Sequence, residues 1–415
     1  MALNALFTGA SGLQANSAAL DVIGNNLANI STTGFKEQRV QFNDLVYQTL
    51  SAGSGPSGTT GGINPSQQGF GVGIGSIGSQ LSQGNLTATG RSLDMGIQGQ
   101  GFFVLSNGSQ NVFSRAGAFD VDAAGFLIDP STGFRVQRFG PAGEGTPTVP
   151  GFQVAGNLDI RVPFGAGVPG TPTANINLQG NLSASLAVGD TYSTAIQVFD
   201  TQSAARSLNL TFTKTATNTF SVTGTISGGT ATIPATPVTF DSAGLLVSPA
   251  TLTATLTGLP GPQTVTINLG TPGQSTGLTQ FGSPSAAAAV TQDGRGSGVL
   301  NTVSVDSSGI LQGIFSNGRT LPLAQLAIAN FNNPGGLLRQ GNNFFGISAA
   351  SGEPLTGPGG SGGRGTLQGG TLEGSNVDIA VEFSRLIIAQ RGFQVNARTV
   401  TAANEVLQEL ANIIR

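Results

Sequence analysis

The sequence contains no cysteine, no histidine and no tryptophan. Without Cys, disulfides are excluded, and an extracellular location has to be tolerated without covalent staples. Without Cys and His together, zinc sites of the usual kind cannot be built, and neither Ser-His-Asp nor Cys-His catalysis is available. Charge is scarce as well. Only 9% of the 415 residues are charged, with 17 Lys plus Arg against 20 acids and a net charge of −3. No basic block stands out, which argues against nucleic acid and against an anionic membrane as partners. No apolar run reaches the roughly 18 residues a spanning helix needs. The opening segment up to Leu20 carries no Lys or Arg, so a cleaved signal peptide with a positively charged leading region is not expected.

What is present in excess is glycine, 64 residues, together with Ser and Thr. Against that background the C-terminal stretch from Ser375 to Arg415 is distinctive. Ile379, Phe383, Leu386, Gln390, Phe393, Ala397, Val400, Asn404, Leu407, Ala411 and Ile414 recur with alternating spacings of four and three, the a/d seam of a heptad helix. Ser375 followed by Asp378 resembles a capping box and places the helix start there. At about 1.5 Å per residue such a helix spans nearly 60 Å. A seam that long wants a partner, and one stands at the other end of the chain. Leu3, Leu6, Ala10, Leu13, Ser17, Leu20, Gly24 and Leu27 repeat the spacing. The alternative is an ordinary amphipathic helix laid on a globular core. Gly9, Gly12 and Gly24 each cost about 1 kcal/mol against Ala, so this first helix is expected to be marginal alone and ordered in an assembly.

Between the helices the grammar is that of strands and turns. Phe102–Leu105, Ser106-Asn107-Gly108 and Val112-Phe113 predict a hairpin turning at Asn-Gly. Phe119–Ile128 predicts a second one, turning at Asp122–Gly125, and the same Asp-x-x-Gly chemistry returns at Asp241–Gly244 and Asp306–Gly309. Because 299–331 repeats the turn types of 101–129, flanking segments from both halves are expected to build one discontinuous β-domain. Strict alternation at Leu208, Leu210 and Phe212, then at Phe220 and Val222, predicts a sandwich or barrel inserted between them. Residues 36–50 read as a short strand or helical turn, and Ser51–Gly62 as a linker or exposed loop.

Short motifs for chemistry do not survive their context. Gly73–Gly78 fits GxGxxG but sits in a glycine-dense stretch with strands after it instead of a βαβ unit. Gly273–Gly277 fits GxSxG with no His to act as base. Asp120, Asp122 and Gly125 resemble a calcium loop, but Ala124 and Ser131 occupy ligand positions. No catalytic, cofactor or metal residues are assigned, and an enzyme is not expected.

The ends resemble a known family. Ser11–Lys36, with Asn25-Asn26-Leu27-Ala28-Asn29 and Thr33-Gly34-Phe35-Lys36 at its heart, is similar to the N-terminal motif of bacterial flagellar rod and hook axial proteins. Ser92–Leu105 resembles their common β segment, with Gln100 where Asn or Asp is usual, and Gly365–Leu410 resembles their C-terminal motif, with Phe393 where many carry Tyr. Ala195–Lys214, Leu278–Gly298 and Ser307–Phe331 look like the hook branch; the distal rod branch resembles the ends but is shorter and lacks the inserted domain.

The resemblance implies a homopolymeric, flexible tube that joins basal body to filament and transmits torque. It also implies contacts with the distal rod, the hook cap, the hook–filament junction and the type III export apparatus, and a place at the cell exterior. No small-molecule substrate is implied. The expected architecture is mainly β with α-helical termini paired as a coiled-coil stalk that carries discontinuous β-domains. Residues 1–30 and 374–415 form the helical domain, 31–69 and 357–373 the connecting segments, 70–144 and 284–356 the inner β-domain, and 145–283 the outer one. The assembly residues are placed on the seams, Leu3, Leu6, Leu13, Leu20 and Leu27 with Ile379, Phe383, Leu386, Phe393, Val400, Leu407 and Ile414. Asn25, Asn26, Asn29, Gln390 and Asn404 are expected to fix register by hydrogen bonds between helices, with helix-end capping as the alternative for the three N-terminal asparagines. A secreted β-rich adhesin or surface-layer protein is the alternative function from another class.

Overall fold

The computed structural model describes residues 2–146 and 151–413. The chain is mainly β, with one long helix at each end: α1 (Ala2–Ala28) and α2 (Ile379–Ile413). The two run antiparallel, since Gly9 lies by Val400 near one end while Asn26 meets Glu382 near the other. Asp378, not Ser375, caps α2: its Oδ1 accepts from the N–H groups of Ala380 at 2.8 Å and Val381 at 3.1 Å. The Ser375 hydroxyl accepts only from Val377 N–H, one turn too early to serve the helix.

Leaving α1, the chain makes a long two-stranded ribbon. Gln38–Asp44 pairs with Val72–Ser79, and Tyr47–Ser51 with Ser66–Gly69. Bridges from Ser54 to Ile63 and from Ser57 to Thr60 close its tip. The stretch expected as linker or loop is therefore one arm and the tip of this ribbon, and Gly73–Gly78 is on a strand. The reason it escapes a reading by pattern is physical: a ribbon exposed on both faces has no inside, so its side chains need not alternate. The Ser11 hydroxyl accepts from Val72 N–H at 3.3 Å and rests the base of the ribbon on α1.

The inner β-body draws on both halves of the chain. Phe102–Ser106 pairs with Asn111–Ser114 as its turn predicts, and also with Ile328–Asn330, which arrives from more than 200 residues on. Successive residues of this strand face opposite ways. Phe103 and Leu105 enter a core with Met95, Leu127, Leu311 and Leu326, whereas Phe102 and Val104 join Phe113, Phe331 and Phe345 on the other side. Residues 145–171, expected to open the outer domain, instead lend Phe152, Ile160, Val162 and Val168 to the inner core.

The outer β-body is an eleven-stranded sheet system whose strands run from Asn175 to Gln292. The alternating residues Leu208, Leu210, Phe212, Phe220 and Val222 all lie in its core. Chain entry and exit are adjacent, for Thr171 and Arg295 exchange both backbone hydrogen bonds, at 2.9 and 2.8 Å. The two chain passes together form the neck between the bodies.

Candidate assembly interface

Two helices can approach closely where their facing side chains are small. In α1 that face is Gly9, Gly12, Asn16, Ala19, Ile23 and Asn26, and in α2 it is Glu382, Arg385, Ala389, Gly392 and Asn396. A Cβ placed on Gly9 would come within 2.8 Å of Val400 Cγ2, and one on Gly12 within 2.6 Å of the Asn396 amide. One on Gly392 would meet Asn16 Oδ1 at 2.6 Å. Along most of both helices this contact face lies one residue, about 100° of helix, before the apolar seam. The pairing of α1 with α2 is thus corrected from seam-to-seam to small-face-to-small-face.

The seam residues are left toward the outside. Ile379, Phe383 and Phe393 are 54%, 51% and 40% exposed. Leu6, Leu13, Leu20, Leu27 and Leu386 are half-buried. Val400 and Leu407 are the exceptions: Val400 reaches Gly9, both side chains are half-buried, and Ala403 between them is buried. Leu3 is helical in backbone, and Ile414 lies outside the described residues. Gln390 and Asn404 are exposed and do not sit between α1 and α2. Beside the seam, Ile387, Ile388 and Val395 of α2 are exposed too. Between α1, α2 and the ribbon lies a groove of about 290 Å³, walled by Val22, Ile23, Phe42 and Ile388 with Glu382 and Arg385 at its polar end.

The asparagines divide between the two expected roles. Asn26 is buried and donates across the helices to Glu382 Oε2 at 3.1 Å. The same amide donates to the Gln38 carbonyl at 2.8 Å and accepts from Gln38 N–H at 2.9 Å, so it is fully engaged. Asn25 donates to Gln38 Oε1 at 3.2 Å. Asn29 donates back to the Asn25 carbonyl at 2.9 Å and accepts from the Thr32 hydroxyl, finishing the helix end.

Where the helices meet the inner body stands a group of charges that no spacing in the sequence announces. Lys36 Nζ pairs with Glu373 Oε1 at 2.7 Å, and Arg115 Nη1 with Glu373 Oε2 at 3.2 Å, with every one of these side chains almost fully buried. Burial pushes the Lys36 ammonium and the Arg115 guanidinium down from their ordinary values, against the pull of the Glu373 carboxylate. Gly34 delivers Lys36 into this site. Its φ of +70° suits glycine, and a Cβ there would lie 2.5 Å from Ala116 N. Arg339 stacks over Phe35 at 5.1 Å and donates to the Lys36 carbonyl. On the helix side, Arg385 pairs with both Glu37 and Glu382; burial works against its charge, and the hydrogen bonds to these carboxylates outweigh it and raise its pKa.

Comparison with known proteins agrees with this layout. Residues 6–36 match the family described as flagella basal body rod protein, and 368–413 the flagellar basal body rod FlgEFG protein C-terminal family. Residues 96–184 match the flagellar hook protein FlgE/F/G D1 domain, and 172–295 the flagellar basal body protein FlaE D2 domain. The flagellar hook protein FlgE of Treponema pallidum (strain Nichols) is 34% identical over all of both chains. This chain belongs to the flagellar hook protein FlgE family. The family's FlgE from Salmonella typhimurium (strain LT2) is 33% identical over 97% of this chain and 98% of its own. The flagellar basal-body rod protein FlgG of Bacillus subtilis (strain 168) also aligns end to end, at 26% identity.

Proposed function

We propose that this chain is a structural subunit of the flagellar hook, polymerising into a flexible tube that carries torque from rod to filament. The observation that carries the reading is the helix pair. It closes through glycine, alanine and asparagine and turns Phe383, Ile387, Ile388 and Val395 outward. Each such side chain is worth about 1.5–3 kcal/mol when buried, and a row of them along a 35-residue helix finds cover in neighbouring copies. The seam residues from Leu6 to Leu27 and from Ile379 to Phe393 are then the subunit-to-subunit contacts, and Gln390 and Asn404 fix register between copies instead of within one.

The work done is mechanical, not catalytic. Terminal helices pack into the inner tube, while the outer bodies, hung on the Thr171–Arg295 neck, slide over one another as the tube bends. Distal rod, hook cap and hook–filament junction proteins are the partners at the two ends, and the chain reaches the cell exterior through the flagellar export apparatus. Electron microscopy of the purified protein under assembling conditions tests this directly. Curved tubes are expected; straight rods would point to the distal rod, and sheets or single particles to a surface-layer protein or adhesin.

A further inference from the structure

The segments that join helix pair to inner body converge on one side chain. Glu373 Oε1 takes Lys36 Nζ at 2.7 Å and the Gly84 N–H at 2.8 Å, and Oε2 takes Arg115 Nη1 at 3.2 Å. Its own carbonyl accepts from Gly34 N–H at 2.7 Å. Arg115 is anchored further into the body, donating to the Gly99 carbonyl at 2.6 Å, and Lys36 donates to the Ser82 carbonyl at 2.8 Å. The very next residue points the other way. Glu37 ion-pairs with Arg385 of α2, which also holds Glu382, and Glu382 in turn accepts from Asn26 of α1. Lys36 and Glu37 therefore pull on the body and on the helix pair from adjacent positions of one strand entry.

We propose that Glu373 is a positioning residue: through Lys36 and Glu37 it fixes the angle at which the helix pair leaves the inner body, and that angle sets the stiffness and curvature of the assembled tube. This rests on the reading of the chain as a tube subunit. The physical argument is that one buried carboxylate is the counterion shared by two buried cations, so any swing that parts Glu373 from either leaves a desolvated charge without its counterion. Apolar packing tolerates sliding, whereas the Lys36–Glu373–Arg115 contacts, at 2.7 and 3.2 Å, are satisfied over a narrow range of geometry. Bending of the polymer is thereby steered away from this junction and toward the neck at Thr171 and Arg295, which is held by a backbone bridge and by hydrogen bonds from Gly170 N–H to Ser203 Oγ and from Asn317 Nδ2 to the Gly296 carbonyl instead of by a buried ion pair.

The test uses the full chain in two variants and two measurements. Lys36→Met leaves the Glu373–Arg115 pair balanced, so the body keeps a neutral core, but it cuts the relay. Tubes of Lys36→Met are expected to form in normal amount, with the calorimetric transitions of the β-bodies unmoved and the persistence length, measured from electron micrographs, lowered about twofold or more as a hinge opens. Lys36→Arg, which keeps the charge, is expected to restore it. A Lys36→Met tube as stiff and as curved as the parent overturns the proposal, as does a Lys36→Met chain that cannot form tubes when the parent can. If the parent chain itself forms no tube, it is the assembly reading that has failed.

Discussion

The outer β-body and the helix pair are built from the same sparsely charged alphabet and come to opposite ends. In the outer body Leu208, Leu210, Phe212 and Phe220 are wholly buried, and Thr and Ser occupy the alternate positions facing water. In the helix pair Ile388 is 71% exposed and Val395 62%, while the inside is held mostly by glycines, alanines and the asparagines Asn16, Asn26 and Asn396. One region is finished by its own chain. The other spends its small residues on the partner within the chain and saves its large ones for partners outside it.

The sharpest way to break that contrast is to put charge on the saved face. Phe383→Asp or Phe393→Asp is expected to abolish tube formation, since a carboxylate buried between copies without a counterion is among the costliest substitutions. The same variants are expected to leave the thermal unfolding of both β-bodies within about 0.5 kcal/mol of the parent, as for surface changes generally. Normal-length tubes from either variant would refute the assignment of the seam to assembly. Next in size is removal of the finished region as a whole. Because Thr171 and Arg295 already bond to each other, excising 173–293 with a short Gly-Ser link is expected to spare polymerisation and to change only tube curvature or stiffness; a complete loss of tubes would make the outer body part of the assembly core.

The same contrast explains what the sequence discloses. Hairpins at Ser106-Asn107-Gly108 and Asp306–Gly309, and the alternation from Leu208 to Val222, are local signals for local structure, and the pairings follow them. The helices are just as visible, but their facing is not. A heptad pattern locates the apolar residues, and the usual inference that apolar means inside assumes that the chain is its own solvent boundary. Here Gly9, Gly12 and Gly392 face the partner helix, and the seam one residue on does not. The only sequence cue is the glycines themselves, which look like flaws until close approach of two backbones accounts for them. The charge group is less legible still. Lys36 and Glu373 are 337 positions apart and Arg115 and Glu373 258, and nothing in spacing or composition joins such pairs.

A conventional core substitution is the mid-sized test. Leu210→Ala is expected to cost the outer body about 2–5 kcal/mol, seen as an earlier outer transition in calorimetry while tubes still assemble. If assembly were lost as readily as with Phe383→Asp, the two regions would not be energetically separate. Acid acts on the outer body more gently. At Asp200, burial works to raise the carboxyl, but hydrogen bonds from Ala204 and Gln202 N–H and from Arg206 outweigh it and hold it below the ordinary 3.8. At Asp293, burial is likewise outweighed by bonds from Asn175 and Ala174. A depressed carboxylate lends stability that is whole above the unfolded value and lost as pH falls through the folded one. The outer transition is therefore expected to weaken below pH 3.8, with Asp200→Asn and Asp293→Asn flattening that slope. An unchanged slope in both variants would remove these carboxylates from the account.

The smallest effect separates glycines that serve the chain from those that serve its neighbours. Gly24 lies on an exposed turn of α1, and a Cβ there would meet nothing within 4 Å. Within the single chain Gly24→Ala can only help, by about 0.5–1 kcal/mol of helix propensity. Gly24 stands on the seam line between Leu20 and Leu27, however, where another copy's backbone is expected to come close. The variant should thus show a better-protected α1 by amide exchange in the free subunit and yet need a higher protein concentration to polymerise. Equal or easier polymerisation would place no neighbour at Gly24 and leave its flexibility, not its smallness, as the property the helix uses.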